Sequence, residues 1–337
     1  MTIALAHISD LHFGSRWFTN SSRPYPSVNP PGGAGAIKGF RSHDIAACDD
    51  LEAALGREFN AWLGMNVRLR LLLVTGDLTT VGEDSEFANA LTFVHGTMRE
   101  RWQSSVGLGK LAFDDRHAVP GNHDHWGGSR ASAARYAWTP QIHGTYFQTT
   151  GTRRTWFRDY DVPGEPIVLQ LMGIDTCTAQ NGHWFATGHI DPADLFELAQ
   201  DIQDSNIRFA GRSILRILLA HHGLSLTGQR PTRASHCLDP GSERELTKFM
   251  GNWNVHRVLT GHLHNPEISP QLTNPPNSGH ELRCGTTLQY AKSGRQTFLT
   301  HLASLNVTGM QLTSTVHQRT VAGGFAPEPG SVTAQVR

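Results

Sequence analysis

"LRLLLVTGDLTT", residues 69–80, sets an almost unbroken apolar run directly against a glycine and a carboxylate, Gly76 and Asp77. An apolar run of this length, bounded by turn residues, reads as a strand buried on both faces. A carboxylate at the end of such a strand has no place in an apolar core. Asp77 therefore calls for a polar partner, and Gly76 lets the backbone turn close to it.

The same grammar recurs along the chain. "IALAHIS" (3–9) stops at Asp10-Leu11-His12, and "RHAVP" (116–120) at Gly121-Asn122-His123-Asp124. "IVLQLMGI" (167–174) stops at Asp175, "ILRILLA" (214–220) at His221-His222, and "VHRVLT" (255–260) at Gly261-His262-Leu263-His264. Helical patterns fall between these runs, at 49–63, 84–98 and 191–203. The first places Leu51, Leu55, Phe59, Ala61 and Leu63 near one face, and the third has Asp191 as its N-cap. Strands alternating with helices predict an α/β layered fold. In such folds chemistry collects at the carboxyl ends of strands, where these polar residues stand.

Composition narrows the function. Lys+Arg and Asp+Glu are both 29, so the formal net charge is zero and a basic footprint for long nucleic acid is missing. No apolar run reaches the length of a membrane span. The start, "MTIALAHISD", lacks the charged segment of a signal peptide. Cys48, Cys177, Cys237 and Cys284 form no paired motif, so reduced thiols in a cytoplasmic protein are expected. Histidine is the outlier, with 19 copies.

Single motifs are weak in a chain so rich in His. Asp115/His117 mimics Asp10/His12 but precedes its strand, and His123/His125 mimics His262/His264 without sharing a face. Asp10/His12 and His262/His264 each close a strand, where residues two apart in extended chain project from the same face. Asp10, His12, Asp77, Asn122, His221, His262 and His264 form a carboxylate, amide and imidazole set without thiolate. Such imidazole content argues against Mg²⁺ or Ca²⁺ and suits Mn, Fe or Zn. Seven candidates exceed one tetrahedral ion and suit two divalent or mixed-valence ions about 3.5–4 Å apart, bridged by Asp77.

The ordered series Asp10-x-His12, Gly76-Asp77, Gly121-Asn122-His123-Asp124, His221 and Gly261-His262-x-His264 resembles the calcineurin-like metallophosphoesterases. It looks most like the bacterial branch that includes class III cyclic-nucleotide phosphodiesterases. The resemblance implies a four-layer α/β/β/α sandwich with a dimetal site at strand carboxyl ends. One ion would take Asp10, His12, Asp77 and His264, and the other Asp77, Asn122, His221 and His262. It also implies catalytic roles for His123, which would contact or protonate the leaving group, and Asp124, which would orient it. A bridging hydroxide would attack phosphorus in line. One departure is visible: "HHG" puts Gly223 where the family often has Pro.

Other residues are read as ordinary. Asp175 suits a loop role, His222 should point away from His221, and His183, His189, His95, His256 and His301 serve packing or surface. Residues 1–320 are expected to form one metallophosphoesterase domain, with closing strands at about 282–320 and a loose tail at 321–337. The Pro-, Gly- and Ser-rich stretch 14–44 begins at the metal rim. It is expected to act as a substrate-selecting lid through Arg16, Trp17, Phe18, Arg23 and Tyr25. The expected function is a phosphodiesterase on small cyclic-nucleotide or glycerophosphodiester substrates. The alternatives are a phosphomonoesterase or nuclease on the same scaffold, or a non-catalytic metal-bound interaction module. No membrane partner is expected, and a homo-oligomer is compatible with this reading.

Overall fold

A computed structural model describes residues 3–14, 43–80, 82, 84–98, 105–125, 147, 153–162, 164–165, 167–177, 187–224, 237–263, 267–268, 280–289, 296–306, 309–328 and 332–336. The first half runs β1 (Ile3–Ile8), α1 (Ile45–Gly64), β2 (Leu69–Thr75), α2 (Asp84–His95) and β3 (Asp115–Val119). The second runs β4 (Thr155–Asp161), β5 (Ile167–Ile174), α3 (Pro192–Arg208), β6 (Ser213–Leu219), α4 (Pro240–Asn252), β7 (Arg257–Thr260), β8 (Glu267–Ile268) and β9 (His280–Arg283). Four strands close the chain: β10 (Thr297–Asn306), β11 (Gly309–Arg319), β12 (Phe325–Pro327) and β13 (Val332–Val336).

They form two sheets. One has the order β12-β11-β10-β1-β2-β3, with β13 also on β11, and the other the order β4-β5-β6-β7-β9-β8. Three separate apolar clusters show how the layers stack. Along β1 and β2, Ala4, Ala6, Ile8, Leu72 and Val74 face outward onto α1 and α2. Ile3, Leu5, Leu69, Leu71 and Leu73 face inward, against Leu169, Leu171, Leu215 and Leu219 of the other sheet. Met172, Ile174 and Leu218 turn to the far side, onto Leu195, Leu198, Leu246 and Phe249 of α3 and α4. The period-two alternation of the strands thus fills three interfaces between four layers, α/β/β/α. The near-continuous apolar runs follow from strands buried on both faces.

Helix starts obey the sequence. Asp191 accepts from Ala193 N with Pro192 in the first turn, and Asp239 accepts from Gly241 N and Ser242 N with Pro240 in the same place. α4 falls partly in 223–242, read from sequence as irregular, although its Asp-Pro opening repeats that of α3. On α1, Ala61 and Leu63 are exposed rather than inward. Trp62 is fully buried in their stead, extending Leu51, Leu55 and Phe59 at true helical spacing.

The segment 321–337, expected to be loose, is corrected by two strands. β12 and β13 both pair antiparallel with β11, at Arg319↔Phe325 and Thr313↔Thr333 among others. They cover the edge of β11 that β10 leaves open, where unpaired N–H and C=O groups invite a partner.

Register positions the functional residues. β1 and β2 are parallel with Ile8 opposite Val74, and β2 and β3 are parallel with Thr75 opposite Val119. The ladder continues past the strands: Asp10 N donates to Gly76 O at 3.0 Å and His12 N to Asp77 O at 2.9 Å. On the other sheet, Ala220 N donates to Leu259 O and Gly261 N to His221 O. Every motif therefore leaves its strand at the same end of the sandwich.

Histidines also lie inside the sandwich. His7 Nε2 meets Thr75 Oγ1 at 2.9 Å, and His301 Nδ1 meets Ser314 Oγ at 2.8 Å; their rings are 5.8 Å apart. Burial pushes His7 down to about 3, against a smaller opposing pull from Asp10. Burial, then His7, Arg257 and His317, hold His301 well below its ordinary value. Burial, then Arg57, hold His317 at about 4. The unfolded chain binds protons at these rings from about pH 6.5 downward while the folded chain does not, so stability falls as pH falls. The expected slope is about 1.4 kcal/mol per pH unit for each such histidine. Thermal unfolding midpoints measured from pH 7 to 5 should drop steeply, and less so in His301→Gln; an unchanged slope in that variant contradicts the account.

Candidate metal centre

Six of the seven sequence-predicted donors meet at the common strand end. β1 delivers Asp10 and His12, β2 Asp77, β3 Asn122, β6 His221 and β7 His262. All six are buried, from 0 % exposed at Asp10, His12 and His221 to 9 % at His262. The seventh, His264, lies outside the described residues, as do Arg16, Trp17, Phe18, Arg23 and Tyr25.

The backbone takes an unusual form there. Asp10, His12, Asp77 and His262 have φ of 51°, 50°, 51° and 65°, in the left-handed region. Among the described residues the other non-glycine cases are Asn66 and Asn254, and asparagine tolerates this conformation well. Aspartate and histidine held there cost about 1–3 kcal/mol each, a burden that collects at functional sites.

Three motif glycines allow the approach. A Cβ at Gly76, whose φ is +91°, would lie 2.5 Å from His221 Nδ1. One at Gly121 would lie 2.2 Å from Asp77 N and Oδ1, and one at Gly261 would lie 1.9 Å from Ser9 Oγ. Real side chains cannot come so near, so the turns close up because these positions are bare.

Asp77 is at the centre. Its Oδ2 is 3.6 Å from His12 Nε2, and its Oδ1 is 3.4 Å from His221 Nε2. Oδ1 also accepts from His123 N at 2.9 Å. His221 Nδ1 donates to Thr75 O at 2.7 Å, which turns Nε2 toward Asn122 Oδ1 at 3.0 Å and His262 Nδ1 at 3.2 Å. Asp10 Oδ2 accepts from Ser9 Oγ at 2.6 Å and from His262 N at 3.1 Å, tying the two sheets together. A carbonyl on one ring nitrogen fixes the tautomer and leaves the other as a donor, the usual support of a ligating imidazole.

Electrostatics agree with the geometry. Burial opposes charge on Asp77, yet His221, His123 and His12 outweigh it and hold its carboxyl well below the usual range. Burial likewise opposes charge on His221, but Asp77 and Asp10 lift it to about 9. Without a cation the carboxylates are thus balanced by an imidazolium. The donors fit metal ions: one atom from each of Asp10, Asp77 and His221 lies within 4.8 Å of the others, and the same holds for His12, Asp77 and His123. Asp77 belongs to both groups, and neither contains a thiolate.

The two residues expected to be catalytic differ in setting. His123 Nδ1 meets Thr80 O at 2.7 Å, and its ring stands edge-on to His12 at 4.7 Å. Asp124, expected to orient His123, instead accepts from Leu78 N, Thr79 N, Thr79 Oγ1 and Gly121 N, at 3.2, 2.9, 2.8 and 2.9 Å. It clamps the turn after β2 to the turn after β3, and so acts on His123 through the backbone. Burial, then Asp77, push Asp124 up to about 6 against these hydrogen bonds.

Three further residues, His222, Asp175 and His125, lie beside these donors. His222 does not point away: its ring is 5.1 Å from that of His221 and 4.5 Å from that of His262. Its Nδ1 meets Thr176 Oγ1 at 2.9 Å, and burial pushes it down to about 3. Asp175 and His125 pair with each other at 3.0 Å. The decoy Asp115/His117 is structural: His117 stacks on Trp156 at 4.9 Å, and Tyr160 donates to Asp115 at 2.7 Å, at the rim of β3 and β4. His189 pairs with Asp239 at 2.9 Å.

Residues 3–266 match the model of the calcineurin-like phosphoesterase family. The chain belongs to that family, and the match supports a metal-dependent phosphoester hydrolase. In fold it is similar to GAP50, the anchor in the inner membrane complex of Plasmodium, with a TM-score of 0.53 and 12 % identity over 99 % of this chain and 89 % of that one. Weaker likenesses include a single mutant of Vps29 from Entamoeba histolytica, at TM-score 0.37 and 12 % identity over 98 % and 99 % of the two chains. The phosphopantetheinyl hydrolase PptH of Mycobacterium tuberculosis gives 0.36 and 12 % over 85 % and 90 %. No curated protein matches the chain. Among the described residues no helix is long and apolar enough to cross a membrane.

Proposed function

We propose that this chain is a dinuclear metal-dependent phosphodiesterase acting on small diesters, of cyclic-nucleotide or glycerophosphodiester type. The observation that carries the reading is Asp77, a buried carboxylate with one oxygen facing His12 and the other facing His221, from opposite ligand sets. Asp10, His12, Asp77 and His264 would hold one ion, and Asp77, Asn122, His221 and His262 the other, with Mn, Fe or Zn suited to the imidazole-rich set. Bound there, divalent cations supply Lewis acidity and a water acidic enough to ionise near neutral pH.

The chain's own groups supply the rest. His123 Nδ1–H donates a hydrogen bond to Thr80 O, so Nε2 is the atom that carries a proton to the departing oxygen. Asp77 fixes the backbone of His123, and Asp124 fixes the turn beneath it. The formal net charge of zero favours a small substrate over long nucleic acid. Four buried free thiols accord with a reducing compartment such as the cytoplasm. A lid role for 14–44 is part of the same proposal.

The test sets bis-p-nitrophenyl phosphate against p-nitrophenyl phosphate, with added Mn²⁺. The diester should be cleaved faster. Preference for the monoester gives the scaffold to a phosphomonoesterase, and hydrolysis of neither gives it to a metal-bound interaction module.

A further inference from the structure

A second donor cluster lies beside the metal centre, and no motif of the family accounts for it. His125, Asp175 and Cys177 each present an atom within 4.8 Å of the others, and they are 3, 1 and 8 % exposed. His125 follows the turn after β3, while Asp175 and Cys177 follow β5. Cys177 N donates to Asp175 Oδ1 at 2.7 Å, a local turn that keeps the thiol beside the carboxylate. The other oxygen, Oδ2, is 3.0 Å from His125 Nε2. The thiol is 3.5 Å from Pro120 O, at the start of the turn that carries Asn122 and His123.

We propose that His125, Asp175 and Cys177 hold a third cation, zinc by its donor set, bracing the turn that carries His123. Imidazole, carboxylate and thiolate together are a zinc set, whereas the neighbouring donors lack sulfur altogether. Zn–S and Zn–N lengths near 2.3 and 2.0 Å place tetrahedral donors roughly 3.3–3.6 Å apart. Here His125 Nε2 and Asp175 Oδ2 are 3.0 Å apart and all three ligand atoms lie within 4.8 Å of one another, close enough for side-chain adjustment to bring them onto one ion. His222 Nδ1, 3.9 Å from the sulfur, is already engaged by Thr176 and is not counted among the ligands. Burial, then Asp175, push the Cys177 thiol well above its ordinary value. Zinc entry therefore forms the Zn–S bond as the S–H proton leaves to solvent, a coupling general to thiolate sites. The competing arrangement is a plain His125–Asp175 ion pair beside a neutral thiol.

The two are separated on the full-length chain. Loaded with Co²⁺, the wild-type protein should show a near-ultraviolet thiolate-to-cobalt charge-transfer band, which Cys177→Ser abolishes and Asp77→Asn keeps. Loaded with Zn²⁺, Cys177→Ser and His125→Gln should each hold one equivalent less per chain than wild type. His125→Gln retains the thiol and serves if Cys177→Ser folds poorly. Absence of the band from wild type, its survival in Cys177→Ser, or unchanged zinc content in His125→Gln overturns the proposal. Loss of metal in Asp77→Asn without loss of the band reports on the dinuclear site alone, so failure of either reading is seen separately.

Discussion

Asp77→Asn is expected to lower phosphoester turnover by about 10³-fold or more and to strip most bound metal. The substitution keeps size and shape but removes the charge and one of two oxygens. Both oxygens are committed: Oδ2 faces His12 and Oδ1 faces His221 while accepting from His123 N. An amide turns its NH₂ toward one of those imidazoles, so it cannot serve both donor groups at once. Metal affinity should fall by more than the 10–100-fold typical of residues one shell out. Metal content by elemental analysis and turnover with the better nitrophenyl substrate check the two halves. A variant that keeps both ions of this site overturns the bridging role proposed for Asp77.

His123→Ala is the second large effect, with a different signature. Loss of a general acid lowers kcat by about 10²–10⁴-fold. Metal content should stay at the wild-type level, although a ring nitrogen of His123 lies near the donors of His12 and Asp77. The deficit should shrink for substrates with acidic leaving groups such as nitrophenol, which need no proton, and widen for alkyl diesters. Equal deficits for both substrate types deny the ring its proton-donating role. Loss of an ion instead places the ring among the ligands.

Much of this site was legible because apolar runs end abruptly at polar residues, and a parallel ladder brings those ends to one level. The route to convergence was not legible. Asp10 and His12 were expected to share a face of extended chain, but β1 ends at Ile8 and both residues are left-handed. They meet, with His12 Nε2 3.8 Å from Asp10 Oδ1, through a turn rather than through strand alternation. His222 was misplaced for the same reason: β6 ends at Leu219, so alternation no longer governs residues 221 and 222. Neither His125 nor Asp175 carries a signal alone. Their pairing depends on β3 and β5 standing face to face across the sandwich, a long-range fact that no local pattern encodes. β13 was missed because it is stabilised by the edge it covers, not by its own sequence.

The donors are shared out between the sheets, with Asp10, His12, Asp77 and Asn122 on one and His221 and His262 on the other. Cations seated there would clasp the two slabs at their rim, where the greasy filling gives out. Cohesion would then draw on the same side chains as the metal site, and a descendant that gave up those donors would have to find another way to keep that seam shut.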